Sequence, residues 1–179
     1  MVFKKLFGRE EEEPAYDPTN LQLQDLDVGF MVDYDLSTWE VMARYEYDWG
    51  DNYFTDELKI QASGKALYLH LEEDDELEVS ISHKIKLSQV SQNIPDHFQD
   101  TDDAPRSLTY EGTTYTLEEE AQGLFRNVRR EHWDEFISWE YTHPDGEQFL
   151  TLERWGEEEF ELSHGHYVEP YQFSNILPA

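Results

Sequence analysis

The sequence predicts an all-β, mainly antiparallel fold. Two tandem β-meander repeats should pack as a pseudo-symmetric barrel or sandwich, with few or short helices. Three observations predict it. Apolar and polar residues alternate with a period of two over several runs, turn signals separate those runs, and the second half of the 179 residues is similar to the first. A period of two is the mark of a strand with one face in a core and the other in water, because successive side chains leave a strand on opposite sides.

Residues 1–20 form a tail of different character. Val2, Phe3, Leu6 and Phe7 would share one side of a short helix beside Lys4, Lys5 and Arg9, before an acidic run that ends at Pro14. Such a segment suits a hook for a membrane surface or a partner groove. It equally suits a frayed terminus with a solvated charge run, since isolated helices shorter than about 12–15 residues barely form.

Residues 21–87 make the first β repeat. Trp39, Val41 and Ala43 alternate with Glu40, Met42 and Arg44. Leu67, Leu69 and Leu71 alternate with Tyr68, His70 and Glu72, and Leu77, Val79 and Ile81 with Glu78, Ser80 and Ser82. Turns are signalled at Asp48-Trp49-Gly50-Asp51-Asn52, Ala62-Ser63-Gly64-Lys65 and Glu73-Asp74-Asp75-Glu76. Residues 88–106 read as a linker, rich in Ser, Asp, Asn and Pro, with Ile94 and Phe98 able to anchor it to a core. Residues 107–179 make the second repeat. Tyr34 to Trp39 aligns with Tyr110 to Tyr115 at an offset of 76, and Leu77 to Ser80 with Phe160 to Ser163 at 83. The drift places an insertion around Arg126 to Trp133.

Composition excludes several classes of function. The chain has 41 Asp and Glu against 13 Lys and Arg, a net charge of −28, and no cysteine. A surface this negative repels phosphates, so direct nucleic-acid binding is not expected. Absence of cysteine removes thiolate zinc sites, Fe–S clusters and cysteine nucleophiles. No apolar run approaches the roughly 20 residues of a membrane-spanning helix, and no apolar stretch follows Lys4 and Lys5 as in a secretory signal. A cytoplasmic protein is expected, with residues 1–9 offering peripheral contact at the inner membrane surface. The aromatic fraction of 15% argues for a folded chain despite the charge.

Several motifs are similar to those of a known family. They are Asp33 to Val41, Tyr45 to Gly50, Leu71 to Leu77, then Phe136, Trp139, Glu140 and Tyr141, and the closing Phe173 to Leu177. Over about residues 21–177 the chain resembles a bacterial domain-of-unknown-function family, DUF4178. The motifs are aromatic and structural, and no accepted active site comes with the family. The resemblance implies an accessory role near membranes, through an association with membrane-stress proteins of the phage-shock type and polyamine-synthase-like proteins.

The residues themselves offer a few constellations. His164 and His166 would point to one face of a strand, with Glu161 nearby and His83 opposite His166 in the repeat alignment. Two or three imidazoles with a carboxylate can hold Zn²⁺, Ni²⁺ or Cu²⁺, although a His-X-His at a strand end is also an ordinary surface feature. The repeat-related pairs Glu72 with Glu153, and Glu78 with Glu161, could serve paired-carboxylate chemistry or bind Ca²⁺ or Mg²⁺. With 41 acidic residues, the solvated face of an amphipathic strand is the expected reading. No Gly-X-Ser-X-Gly elbow and no phosphate-cradling glycine loop occur. Most of the aromatics suit a strand core, whereas Trp49 and Trp155 sit beside glycine at predicted loop tips, where exposure would make them candidate partner contacts. Arg126, Arg129 and Arg130 would either pair within their own segment or meet an acidic partner.

The function expected from the sequence is therefore a non-catalytic protein-interaction or accessory module, needing no cofactor. It would meet a protein partner through Trp49, Trp155, Phe3 and Phe7. The alternatives are a metal- or small-ligand-binding protein using the His164/His166 cluster, and an acidic binder of polycations that mimics nucleic acid.

Overall fold

The computed structural model describes residues 16–17 and 19–179. Eleven strands run in chain order: β1 (Met31–Tyr34), β2 (Ser37–Asp48), β3 (Phe54–Ala62), β4 (Lys65–Glu73), β5 (Leu77–Ile85), β6 (Ser107–Tyr110), β7 (Thr113–Asn127), β8 (Asp134–Thr142), β9 (Gln148–Trp155), β10 (Glu159–Val168) and β11 (Ser174–Leu177). Among the described residues there is one α-helix, α1 (Ile94–Thr101), between β5 and β6. The fold is all-β and antiparallel, as the alternation predicts.

The strands form a single sheet in the order β11-β1-β2-β3-β4-β5-β10-β9-β8-β7-β6, and β2 also pairs with β7. That extra pairing closes eight strands, β2–β5 and β7–β10, into a ring. β1 and β6 are left as short flaps on the first halves of β2 and β7. Closure is possible because β2 and β7 are long and kinked. Each pairs with its flap near its start, and β2 then meets β7 through Tyr45 to Asp48 against Asn127 to Leu124. Arg126 Nη2 reaches Glu46 Oε1 at 2.9 Å, and Tyr45 stacks on Phe125 at 5.0 Å. Arg126 thus pairs across the closing seam rather than with the acids of its own segment.

A register shift lies between Val41 and Ala43 on β2, and another between Leu117 and Glu119 on β7. An extra residue at such a bulge reverses which side chains face inward. Trp39 and Val41 therefore turn out into a core, whereas Tyr47 turns into the ring. In β7, Tyr115 turns out and Ala121 turns in. The two shifts lie 76 residues apart, the offset at which Tyr34 to Trp39 aligns with Tyr110 to Tyr115.

Two hydrophobic cores lie outside the ring. One covers the outer face of β2–β5 with Leu23, Leu26, Phe30, Val32 and Phe173, and contains the fully buried Leu58, Ile60 and Leu69. The other covers β7–β10 with Val90, Ile94, Phe98 and Leu108, over Leu150, Leu152 and Leu162. Each fully buried Leu or Ile contributes roughly 1.5–3 kcal/mol. Much of the segment predicted as a linker is thus a lid on the second core. Asn93 caps α1 by accepting from the Asp96 amide, and Asp102 ends it in the left-handed region. The polar composition misled because only Ile94 and Phe98 of this amphipathic helix are buried.

Gly165 of β10 sits where its neighbours leave no room for a side chain. Its register partners are Ser82 on β5 and Phe149 on β9. A Cβ there would come within 2.5 Å of the Phe149 ring and 2.9 Å of the Ile81 carbonyl oxygen. Gly165→Ala should lower stability by roughly 1–3 kcal/mol through overpacking, read as a shift in the urea midpoint. An unchanged midpoint would show that Phe149 is free to move away.

Candidate functional site

Closing the sheet gives its polar face an inside. β4 turns Tyr68, His70 and Glu72 inward, β5 turns Glu78, Ser80, Ser82 and Lys84, β9 turns Thr151 and Glu153, and β10 turns Ser163 and Tyr167. These positions alternate with the leucines and valines of the two outer cores, so a single period of two supplies both surfaces. The lumen encloses about 440 Å³. The solvated-face reading fails for Glu153, which is only 7% exposed.

Lys84 organises the deeper part. Its Nζ lies 2.9 Å from Glu161 Oε2, 3.3 Å from Glu153 Oε2 and 5.3 Å from the centre of the Tyr68 ring. Burial by itself would lower the lysine's pKa, but the carboxylates of Glu153, Glu57 and Glu161 outweigh it and hold the ammonium charged. Glu57 accepts a hydrogen bond from the Tyr47 hydroxyl at 3.3 Å. Burial pushes its pKa up to about 7; Lys84 opposes the rise and Glu153 adds to it. Glu153 is likewise raised by burial against the pull of Lys84. His70 is held below its usual range by burial.

Four more carboxylates stand toward one mouth of the lumen: Glu72, Glu78, Glu119 and Glu140. Tyr53 donates to Glu72, and Tyr167 donates to Glu140 Oε1 at 3.4 Å. Burial raises both Glu78 and Glu140, with Glu72 adding to the first and Glu119 to the second. Between this mouth and Lys84 lies a belt of hydroxyls from Ser80, Ser82, Ser138, Thr151 and Ser163. None of the five hydroxyls is hydrogen-bonded to another group among the described residues. Ser163 is 7% exposed, and its free hydroxyl faces the lumen.

The aromatic residues occupy the rest of the interior. Trp49 stacks on Tyr47 at 5.5 Å, meets Phe136 edge-on at 5.4 Å, and donates its indole N–H to Thr55 Oγ1 at 3.0 Å. Trp155 stacks on Phe136 at 4.9 Å and meets Phe125 edge-on at 5.1 Å. Its buried Nε1 lacks a hydrogen-bond partner of good geometry, though it is near enough to Glu153 to favour that group's ionised form. The sequence places both tryptophans at loop tips. The structure instead gathers them into one half-buried cluster beside the Lys84 network, because β2 runs on to Trp49 as an inward position and β9 ends on Trp155 as another.

The histidines lie on the outer face, at the seam of β5 and β10. The register pairs His164 with His83 and His166 with Ile81, two residues from the repeat-based expectation. The His83 and His164 rings are 5.5 Å apart. His164 Nε2 lies 3.2 Å from both Tyr115 Oη and Gln148 Oε1, and His166 Nε2 lies 3.4 Å from Tyr34 Oη. Glu161 points the other way, toward Lys84, because it stands three and five positions from the two histidines along the strand. Among the described residues, no group of three or more His, Cys, Asp or Glu is arranged to hold a metal ion. Phe3, Phe7 and the contact proposed for residues 1–9 lie outside the described residues. Among the described residues no helix is long and apolar enough to cross a membrane.

The residues that sequence reasoning missed are Lys84, Glu57 and the hydroxyl belt. A signal existed in Ser80, Ser82 and Lys84, small or cationic residues on the polar side of a very acidic strand pattern, but only closure shows that this side is enclosed.

Comparison with known proteins agrees with the aromatic framework. Residues 27–170 match the family described as Domain of unknown function (DUF4178). The chain belongs to that family. It is also similar to an uncharacterized protein of Aquifex aeolicus (strain VF5), 28% identical over 175 residues, which span 98% of this chain and 96% of that one. No solved structure matches.

The raised pKa of Glu57 sets a pH dependence. A carboxyl that binds its proton more tightly folded than unfolded stabilises the fold below pH 4.5, and that contribution is lost as pH rises to about 7. Relative to Glu57→Gln, the native protein should therefore lose stability on the order of 3 kcal/mol between pH 4.5 and 8. Denaturant unfolding of both proteins across that range checks it, and parallel profiles would contradict it.

Proposed function

We propose that this member of the DUF4178 family is a non-catalytic accessory module that takes a small polar molecule into the lumen of its ring. The hydroxyl belt is the observation that carries this reading. Five inward hydroxyls without protein partners offer donors and acceptors to an occupant, in a cavity within the roughly 300–1,000 Å³ typical of small-ligand sites. The walls are strands rather than loops, so the polar groups are held in position before anything binds. Among the described residues no serine or threonine hydroxyl is hydrogen-bonded to a histidine ring, the arrangement an activated hydroxyl nucleophile needs, and this supports binding over nucleophilic chemistry.

The same proposal includes a cytoplasmic setting, a protein partner and an origin by internal duplication. The last is supported by the matching hairpin order of β1–β5 and β6–β10 and by their equivalent bulges. With Trp49 and Trp155 turned inward, the two residues support the lumen better than a partner surface.

The lumen reading is tested by thermal unfolding against small polar compounds of each charge class, in the native protein and in Ser163→Leu, whose side chain would fill the belt. At least one compound should raise the native Tm by several degrees, as expected at 100-fold excess over Kd, and Ser163→Leu should lose that rise. Equal shifts in both proteins would overturn the reading.

A further inference from the structure

Three pairs of glutamates that line the ring interior stand directly opposite one another on neighbouring strands. They are Glu153 with Glu161 on β9 and β10, Glu72 with Glu78 on β4 and β5, and Glu119 with Glu140 on β7 and β8. Like charges placed directly opposite on antiparallel strands destabilise a sheet. The first pair is relieved by Lys84, whose ammonium touches both carboxylates. The other two pairs have no cation: among the described residues no Lys, Arg or His forms an ion pair with Glu72, Glu78, Glu119 or Glu140. Both uncompensated pairs open on the same mouth of the lumen, and Glu140 senses Glu78 and Glu72 as well as Glu119, so the four act on one another.

A second feature is independent of this charge. The Ser163 side chain, 7% exposed and without a hydrogen-bond partner, is aimed into the same lumen below the four carboxylates. An occupant seated at the mouth and reaching this hydroxyl must carry polar groups along its length. A bare metal ion does not fit, because the carboxylates do not converge on a point as metal ligands would.

Resting on the lumen reading above, we infer that the ligand is a small organic amine. Its ammonium end takes between Glu72–Glu78 and Glu119–Glu140 the place that Lys84 takes between Glu153 and Glu161, and its polar body lies on the hydroxyl belt. Lys84 sets the direction, since a positive charge at the deep end would meet a fixed ammonium. Burial and mutual repulsion raise Glu78 and Glu140 in the free protein, and an ammonium seated between the two pairs opposes that repulsion.

The test is calorimetry at physiological salt with four probes of similar size that share one skeleton and differ in charge: 1-amino-1-deoxysorbitol, its N-methyl derivative, sorbitol and gluconate. The amines should bind at least tenfold more tightly than sorbitol and gluconate. The double variant Glu72→Gln, Glu140→Gln should lose at least tenfold in amine affinity while its ligand-free form melts higher than the native protein, because opposed charges are gone. Asp75→Asn, at the exposed β4–β5 hairpin tip, should leave affinity unchanged. Binding of sorbitol or gluconate as tightly as the amines would overturn the charge assignment and leave the lumen reading standing. Amine binding weakened equally by Asp75→Asn would overturn the site in favour of diffuse surface attraction. No binding of any probe, with no effect of Ser163→Leu, would overturn both.

Discussion

Pairing of β2 with β7 is the constraint on which the rest of the structure depends. Without it the chain would be an open sheet with one polar face in water. With it, eight strands enclose that face and turn it into a chamber. The pairing needs both bulges, because an unbroken alternation would send Tyr45, Tyr47 and Phe125 to the side already occupied by Trp39, Val41 and Tyr115. The bulges let one long strand serve an outer core in its first half and the ring interior in its second.

This arrangement inverts the usual economy of a small β barrel, in which the interior holds the apolar core. Here the apolar burial is done outside, by two separate cores under the N-terminal segment and α1. The interior is released from that duty and carries carboxylates, hydroxyls and a lysine instead. Charges in such a space are costly unless paired, so Lys84 held between Glu153 and Glu161 is a structural requirement of the lumen as well as a feature of the site. The aromatic cluster of Tyr47, Trp49, Phe125, Phe136 and Trp155 fills the sector nearest the closing seam and keeps the remaining space to one side.

The histidines show how a register of two residues changes a chemical reading. On one strand His164 and His166 share a face, as alternation requires. Their cross-strand neighbours are set by the hydrogen-bond ladder, which places His83 beside His164 and leaves His166 to Tyr34. Glu161, close in sequence, is separated from both by the thickness of the sheet. Proximity along a strand thus counts for little between residues of opposite parity.

Taken alone, the sequence determined the fold class, several of the strand runs and the three turns that join β2 to β5, because those follow from local alternation and turn chemistry. Leu67, Leu69 and Leu71 had one side to go to, and Ser63-Gly64 turns the chain with the positive φ angles that tight hairpins demand. It also carried the family motifs. Only the tertiary structure decided what the polar side faces. A period of two records that a strand has two faces; it does not record whether the second meets water or its own sheet returning. That is set by the β2–β7 and β5–β10 pairings, between residues about 80 positions apart, and by two bulges that leave no mark in composition. The same long-range contacts turned Trp49 and Trp155 inward and made a glutamate-lined face into an enclosed site.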